Sequence, residues 1–199
     1  RIGGHDSKLL KRMDGIRLNA KKQLRLAELG LLVVTIIWGS GFVAVKSATG
    51  SLEPAAIVAL RFAIAAVLMC VVFFRRLKKI DKGCIKAGAL AGFLYYLAFY
   101  LQTLGAKYTT AGKNAFLTAV YVVLVPFLYW IIKNQRPDVY NISAAFLCLI
   151  GIGLLSLNAD FSINMGDGFS LLGGVGFTAQ IVAAAILTQK HDPILLSVT

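Results

Sequence analysis

The chain has 199 residues, of which 58% are hydrophobic and only 15% charged, with a mean hydropathy of +0.74 and a formal net charge of +12. A soluble domain of this size is nearer half apolar with about a quarter of its residues charged, so a water-soluble globule is excluded. The basic excess does not mark a nucleic-acid surface either, because 17 of the 21 Lys and Arg residues lie before the first apolar stretch, in or at the edge of every second gap between stretches, or after the last.

Residues 1–27 are polar and basic with weak periodicity. The chain begins at Arg1 rather than Met, so it is expected to be a piece of a longer protein or to carry upstream translated sequence, with Met13 a candidate start. Six apolar spans follow: Leu29–Ala48, Pro54–Phe74, Cys84–Leu104, Ala111–Ile132, Val139–Leu157 and Gly168–Thr188. Each is about 20 residues, enough at 1.5 Å per residue to cross a ~30 Å hydrocarbon core. Backbone groups in lipid must bond internally, so the spans are helices; barrel strands would need a ~10-residue alternation, which the pattern lacks. The fold class is therefore an all-α, polytopic membrane helix bundle with short hairpin loops.

The basic residues set the orientation. Lys21, Lys22 and Arg25 precede span 1, Arg75, Arg76, Lys78, Lys79 and Lys82 fill the second gap, Lys133 and Arg136 the fourth, and Lys190 closes span 6. Lys46, Lys107 and Lys113 fall on the sparse side, and Arg61 lies inside span 2. The positive-inside rule places the N-terminus in the cytoplasm; the location expected for this multi-pass chain is the cytoplasmic (inner) membrane. The sequon Asn141-Ile142-Ser143 falls at the cytoplasmic mouth of span 5 and is read as accidental.

A shift of 139 residues sets the start of the chain over its end: Glu28 on Asp167, Leu32 on Leu171, Trp38 on Phe177, Val43-Ala44 on Val182-Ala183 and Glu53-Pro54 on Asp192-Pro193. Five spans separate the copies, an odd number, so the second copy must be inverted, the architecture of many secondary transporters. The domain reading is a basic segment over 1–27, a five-helix repeat over 28–157, and the start of an inverted second repeat over 158–199.

Several polar and aromatic groups lie at membrane depth. Arg61 costs ~2.5–3.5 kcal/mol near a span centre, offset by the apolar residues around it, and must face the bundle interior or a wet cavity. It is either an anchor for a substrate carboxylate or a structural contact to helix-end carbonyls. Span 3 sets Gly88, Gly92, Tyr95, Tyr96, Phe99, Gln102 and Thr103 near one face, with Gly88-x-x-x-Gly92 suited to close helix approach. Its rings and Gln102 suit a half-polar organic molecule, or simply packing and an interfacial belt. Span 4 aligns Asn114, Thr118 and Tyr121, and Pro126 is expected to kink it. Trp38 sits near the middle of span 1 with Phe42 one turn on, and Gly173, Gly174, Gly176, Thr178 and Gln180 mark span 6 for close packing and polarity.

The spans hold no Asp or Glu to serve as a proton relay. Cys70, Cys84 and Cys148 form no C-x-x-C pair, and His5 and His191 lack ligand spacing in the sequence, so neither a metal, a cofactor nor a disulfide is expected. A membrane-embedded enzyme would need a nucleophile, acid–base pair or metal cluster at depth, so no enzyme is expected.

The chain resembles EamA-type members of the drug/metabolite transporter superfamily. The resemblance rests on Trp38-Gly39-Ser40-Gly41-Phe42, Lys46, Glu53-Pro54 with Leu60-Arg61-Phe62, Leu104 to Gly112 with Asn114 to Thr118, Tyr121 to Pro126, and Gly166-Asp167. It covers about residues 24–199 and departs at Gly41, where members often carry Asn. It implies ten spans in two inverted five-span repeats, of which six spans are present here. It also implies export or exchange of small metabolites such as amino acids by alternating access. The partners expected are a small-molecule substrate and membrane lipid, with the substrate cavity drawn from Trp38, Phe42, Arg61, Tyr95, Tyr96, Phe99, Gln102, Asn114, Thr118, Tyr121 and Gln180. The alternative is a non-transporting membrane subunit or scaffold. Oligomeric state stays open.

Overall fold

A computed structural model describes residues 3–157 and 164–199. Eight α-helices run in order: α1 (Gly3–Ala48), α2 (Pro54–Val72), α3 (Lys82–Tyr108), α4 (Ala111–Thr118), α5 (Tyr121–Lys133), α6 (Val139–Leu157), α7 (Met165–Leu187) and α8 (Pro193–Val198), with one 3₁₀ turn at Leu77–Lys79. No strand occurs among the described residues. Among the described residues five helical stretches are long and apolar enough to cross a membrane: Gln23–Ala48, Pro54–Val72, Lys82–Tyr108, Ala111–Lys133 and Met165–Leu187; α6 adds a shorter apolar run, Val139–Gly151. The protein is an all-helical, multi-pass membrane bundle. It divides into two compact units, 1–41 and 42–199. The first is helical throughout its described part, and the packing below concerns the second.

Short polar side chains start the helices. Asp81 Oδ1 accepts the Cys84 N–H (2.7 Å), Thr110 Oγ1 that of Lys113 (3.2 Å), and Asp192 Oδ1 that of Ile194 (2.8 Å). Asn164 and Asp167 form a reciprocal capping box, each side chain accepting from the other's backbone N–H at 3.0 and 3.1 Å. Pro54 and Pro193 stand at first helical positions, where a missing N–H costs nothing. Asn134 closes α5 in the left-handed region, φ 56°.

The bundle is built on α3 and α7, which run antiparallel with their backbones nearly touching. A Cβ added to Gly166 would lie 2.8 Å from the carbonyl oxygen of Gly105 and from the N of Thr109. One added to Gly173 would lie 3.0 Å from Gln102 N, and one at Gly105 would meet the Ser170 hydroxyl and lie 2.9 Å from Gly166 O. α4 packs mainly on α7 and touches α3 and α6, α5 packs on α7 and α6, α2 runs beside α3, and α8 packs on the start of α3.

Two expectations need correction. Of the Gly88–Gly92 pair, only Gly88 is closely approached, by Thr199 at the end of α8; a Cβ at Gly92 would meet nothing within 4 Å. The close contacts use Gly105 instead. Span 4 does not run unbroken to a kink at Pro126. It breaks at Ala119–Val120, where the N–H groups of Val120, Val122 and Val123 turn to carbonyls three residues back, a 3₁₀ tightening, while Pro126 sits inside α5. The residue pairs that the 139-residue shift aligns take these places in the helices. Glu53-Pro54 and Asp192-Pro193 each place an extended acidic cap before a first-turn proline, whereas Glu28 falls inside α1 and Asp167 in the first turn of α7.

Gly105→Ala is expected to lower stability by about 1–3 kcal/mol through overpacking. Gly92→Ala, with open space around it, is expected to leave stability unchanged or raise it by about 0.5–1 kcal/mol. Thermal unfolding of the two variants side by side in detergent checks the contrast.

Candidate functional site

Rings from four helices meet at the middle of α3. Tyr95 and Phe99, one turn apart on α3, contact edge-on with centroids 4.8 Å apart. Phe62 of α2 meets Tyr95 at 5.6 Å, Phe99 at 5.8 Å and Tyr96 at 6.4 Å. Phe177 of α7 meets Phe99 at 5.0 Å and Tyr95 at 6.1 Å, and Tyr121, the first residue of α5, reaches Phe177 at 6.1 Å. The edge-to-face geometry suits the ring quadrupoles, worth about 0.5–1.5 kcal/mol per pair beyond burial.

Arg61 of α2 caps this cluster. Its guanidinium carbon lies 4.5 Å from the centroid of Phe99; Arg61 is exposed, and a cation–π contact at such a site is worth about 0.5–1 kcal/mol. A guanidinium carries its N–H donors in one planar fork, the geometry that pairs with a carboxylate. Phe177 is buried, Tyr95 and Phe99 are half-buried, and Tyr96 is 40% exposed, so the cluster has one packed side and one open side. Chemically it offers flat apolar surfaces, phenol hydroxyls and a fixed positive charge; it contains no nucleophile–base pair.

A second polar group lies towards the end where α4 and α7 begin. Asp167 is 4% exposed; its carboxylate accepts from Lys113 Nζ at 2.6 Å and from the Thr109 hydroxyl at 2.8 Å. Deeper, Asn114 Nδ2 donates to the backbone carbonyl of Gln102 (2.9 Å) and its Oδ1 accepts from Thr118 Oγ1 (3.2 Å). These bonds tie α4 to α3 and α7.

The structure thus gathers Arg61, Tyr95, Tyr96, Phe99 and Tyr121 into one cluster. Asn114 and Thr118 are buried; Asn114 donates across to the Gln102 backbone carbonyl of α3, and Thr118 donates to Asn114 within α4. Gln180 is half-buried on α7, three residues beyond Phe177, and Phe42 is half-buried on the last turns of α1 without a ring contact among the described residues. Trp38 belongs to the first unit. Sequence reasoning missed Phe62 and Phe177 as cluster members, although Phe62 follows Arg61 and Phe177 is the residue the 139-residue shift sets over Trp38. Thr103 Oγ1 is fully buried without a hydrogen-bond partner among the described residues. Metal-ligating side chains gather elsewhere, at the start of α3: Asp81, Cys84 and His191.

The sequence profile described as "EamA-like transporter family" matches residues 25–157. An "Uncharacterized transporter" of Archaeoglobus fulgidus is 35% identical over 171 residues, 86% of this chain and 53% of its own length. "Uncharacterized transporter YoaV" of Bacillus subtilis is 28% identical over 146 residues, 70% of this chain and 50% of its own. An "Uncharacterized protein" of Haemophilus influenzae is 34% identical over 98 residues, 49% of this chain and 77% of its own. The chain spans about half the length of the two transporters. No solved structure matches it.

Lys113→Met or Asp167→Asn alone is expected to cost about 3–5 kcal/mol, since each strands a buried polar or charged partner. The double variant is expected to cost less than the sum, and a double-mutant cycle from reversible denaturation in mixed micelles measures the difference.

Proposed function

The chain belongs to the EamA-like transporter family, and on that premise we propose that it is part of a secondary transporter that exports or exchanges small metabolites, amino acids or related compounds, by alternating access. The observation that carries this reading is Arg61 stacked on Phe99 within a ring cluster shared by α2, α3, α5 and α7. A membrane-depth arginine is costly and is retained where it faces a partner or a substrate path. Here it lies beside an open aromatic wall, a combination that suits a molecule carrying both a carboxylate and an apolar body.

The proposed mechanism involves no covalent chemistry. The guanidinium fork holds the carboxylate, the rings of Tyr95, Tyr96, Phe99 and Tyr121 hold the apolar part, and Gln180 lies on α7 for a further polar contact. One five-helix repeat rocks against its inverted partner and exposes the site to each side in turn. Lys113–Asp167 and Glu53–Lys107 lie at the end where α4 and α7 begin, proposed to be the outer one. The protein is proposed to lie in the cytoplasmic membrane with its N-terminus inside.

Arg61→Gln in the full-length transporter, reconstituted in proteoliposomes, is expected to slow flux of a transported amino acid about 10- to 100-fold, the loss of a charge-assisted hydrogen bond of ~1.5–3 kcal/mol. Flux of the matching amine lacking the carboxylate is expected to change little. No flux of any amino acid or related metabolite by the folded wild-type protein would favour a scaffold role instead. Orientation has its own check: a reporter fused after Ile132 is expected inside the cell, and an external reporter overturns the assignment.

A further inference from the structure

Asp81, Cys84 and His191 are separated by up to 110 residues in sequence, yet each offers a ligand atom within 4.8 Å of the other two. From this we infer a binding site for one divalent transition-metal ion, of which zinc fits the donor set best, joining the start of α3 to the turn between α7 and α8. One thiolate, one imidazole and one carboxylate are ligand types that zinc takes together, at about 2.0–2.3 Å, with water in a fourth tetrahedral position. Ligand atoms around such an ion lie roughly 3.3–3.8 Å apart, so rotamer adjustments of about an ångström complete the coordination. A soft sulfur among borderline and hard donors selects zinc over magnesium or calcium.

The surroundings hold the three groups in place. Asp81 Oδ1 is engaged as the cap of α3, accepting the Cys84 N–H at 2.7 Å, which fixes the carboxylate beside the sulfur and leaves Oδ2 to ligate. Cys84 is 3% exposed, with its sulfur 4.0 Å from Thr199 Oγ1. His191 is held by its backbone N–H on the carbonyl of Leu187 (3.1 Å), and its ring passes over Gly83. A Cβ at residue 83 would stand 3.3 Å from His191 Cε1 and 3.5 Å from Asp81 Oδ2, so glycine leaves the imidazole room to approach. Arg76 pairs with Asp192 at 3.5 Å, bracing the same turn and offsetting one of the nearby positive charges. The ionised thiol and carboxylate carry two negative charges, which balance a divalent ion in a basic neighbourhood; binding releases the thiol proton to solvent. The ion acts as a clamp between two segments distant in sequence.

The test uses the full chain purified in detergent and Co²⁺ as a spectroscopic stand-in for Zn²⁺. Expected are tetrahedral visible bands and a near-ultraviolet thiolate-to-cobalt band saturating at one ion per chain, displaced by Zn²⁺. The thiolate band should survive Cys70→Ser with Cys148→Ser and vanish in Cys84→Ser. His191→Gln should weaken binding at least about tenfold, since even the outer partner of a ligand is worth 10- to 100-fold. Should Cys84→Ser fail to fold, mass spectrometry of the wild type decides: Zn²⁺ should protect Cys84, and neither Cys70 nor Cys148, from iodoacetamide. Absence of a thiolate band in the wild type, its persistence in Cys84→Ser, or alkylation of Cys84 unaffected by Zn²⁺ overturns the site.

Discussion

Two helices that meet backbone to backbone organise this bundle. In lipid the tails are as apolar as leucine, so helices gain little from hiding apolar side chains on one another and associate through van der Waals contact and hydrogen bonds. Gly105, Gly166 and Gly173 provide that contact by removing the side chains that would hold α3 and α7 apart. The consequence reaches the candidate site. Gly176 packs on Ala98, and the next residue along each helix is a ring, Phe177 and Phe99, with centroids 5.0 Å apart. The ring cluster therefore begins where the glycine seam sets its spacing, and Arg61 stacks on the ring that the seam positions.

The same economy governs charge. The three lysines that depart from the alternating pattern are each engaged: Lys46 Nζ donates to the Lys107 carbonyl at 3.2 Å, Lys107 pairs with Glu53 at 3.2 Å, and Lys113 pairs with Asp167 at 2.6 Å. They do not contribute equally. The Glu53 side chain is 78% exposed, and pairs of that kind are worth ~1 kcal/mol or less. Lys113 and Asp167 are both largely buried, so each secures the other against stranding in low dielectric. Because Asp167 also takes part in the capping box, the start of α7 and the start of α4 are fixed together. That common starting end is what the charge parity requires of spans 4 and 6, with α3 running the opposite way.

The fold was legible because the membrane makes a simple demand: about 20 apolar residues per crossing, with basic residues on alternate sides. Pro54, Asp81, Asn164 and Pro193 then mark starts by local chemistry that any reader of sequence can apply. The site was legible in part. Tyr95, Tyr96 and Phe99 fall on one face by helical spacing, and Arg61 is conspicuous by its cost. Phe62 and Phe177 were not, since a phenylalanine in an apolar span carries no signal until its neighbours on other helices are known. Asn114 and Thr118 show the converse. A polar residue at depth must find a partner, but sequence does not say whether that partner is a solute or, as here, the Gln102 carbonyl and each other. Asp81, Cys84 and His191 escaped attention because ligand spacing was sought along the chain, whereas the tertiary fold assembles them.

The break between α4 and α5 joins the glycine seam to the ring cluster. The N–H of Val122 turns to Ala119 rather than Thr118, and Pro126 has no N–H to give, so within one span the regular bonding pattern is altered twice. Irregular backbone at membrane depth is tolerated where protein buries it or where it lines a wet cavity. The first condition holds on the side that faces α7. Thr118 is 2% exposed and a Cβ on Gly174 would lie 2.8 Å from its carbonyl, so the glycine seam of α7 covers one side of the break. On the other side the chain resumes with Tyr121, which turns its ring to Phe177. The discontinuity is thus the means by which span 4 both packs on α7 and delivers a phenol to the aromatic wall. A continuous helix would hold its residues to a fixed 100° step and could not set the two tasks independently.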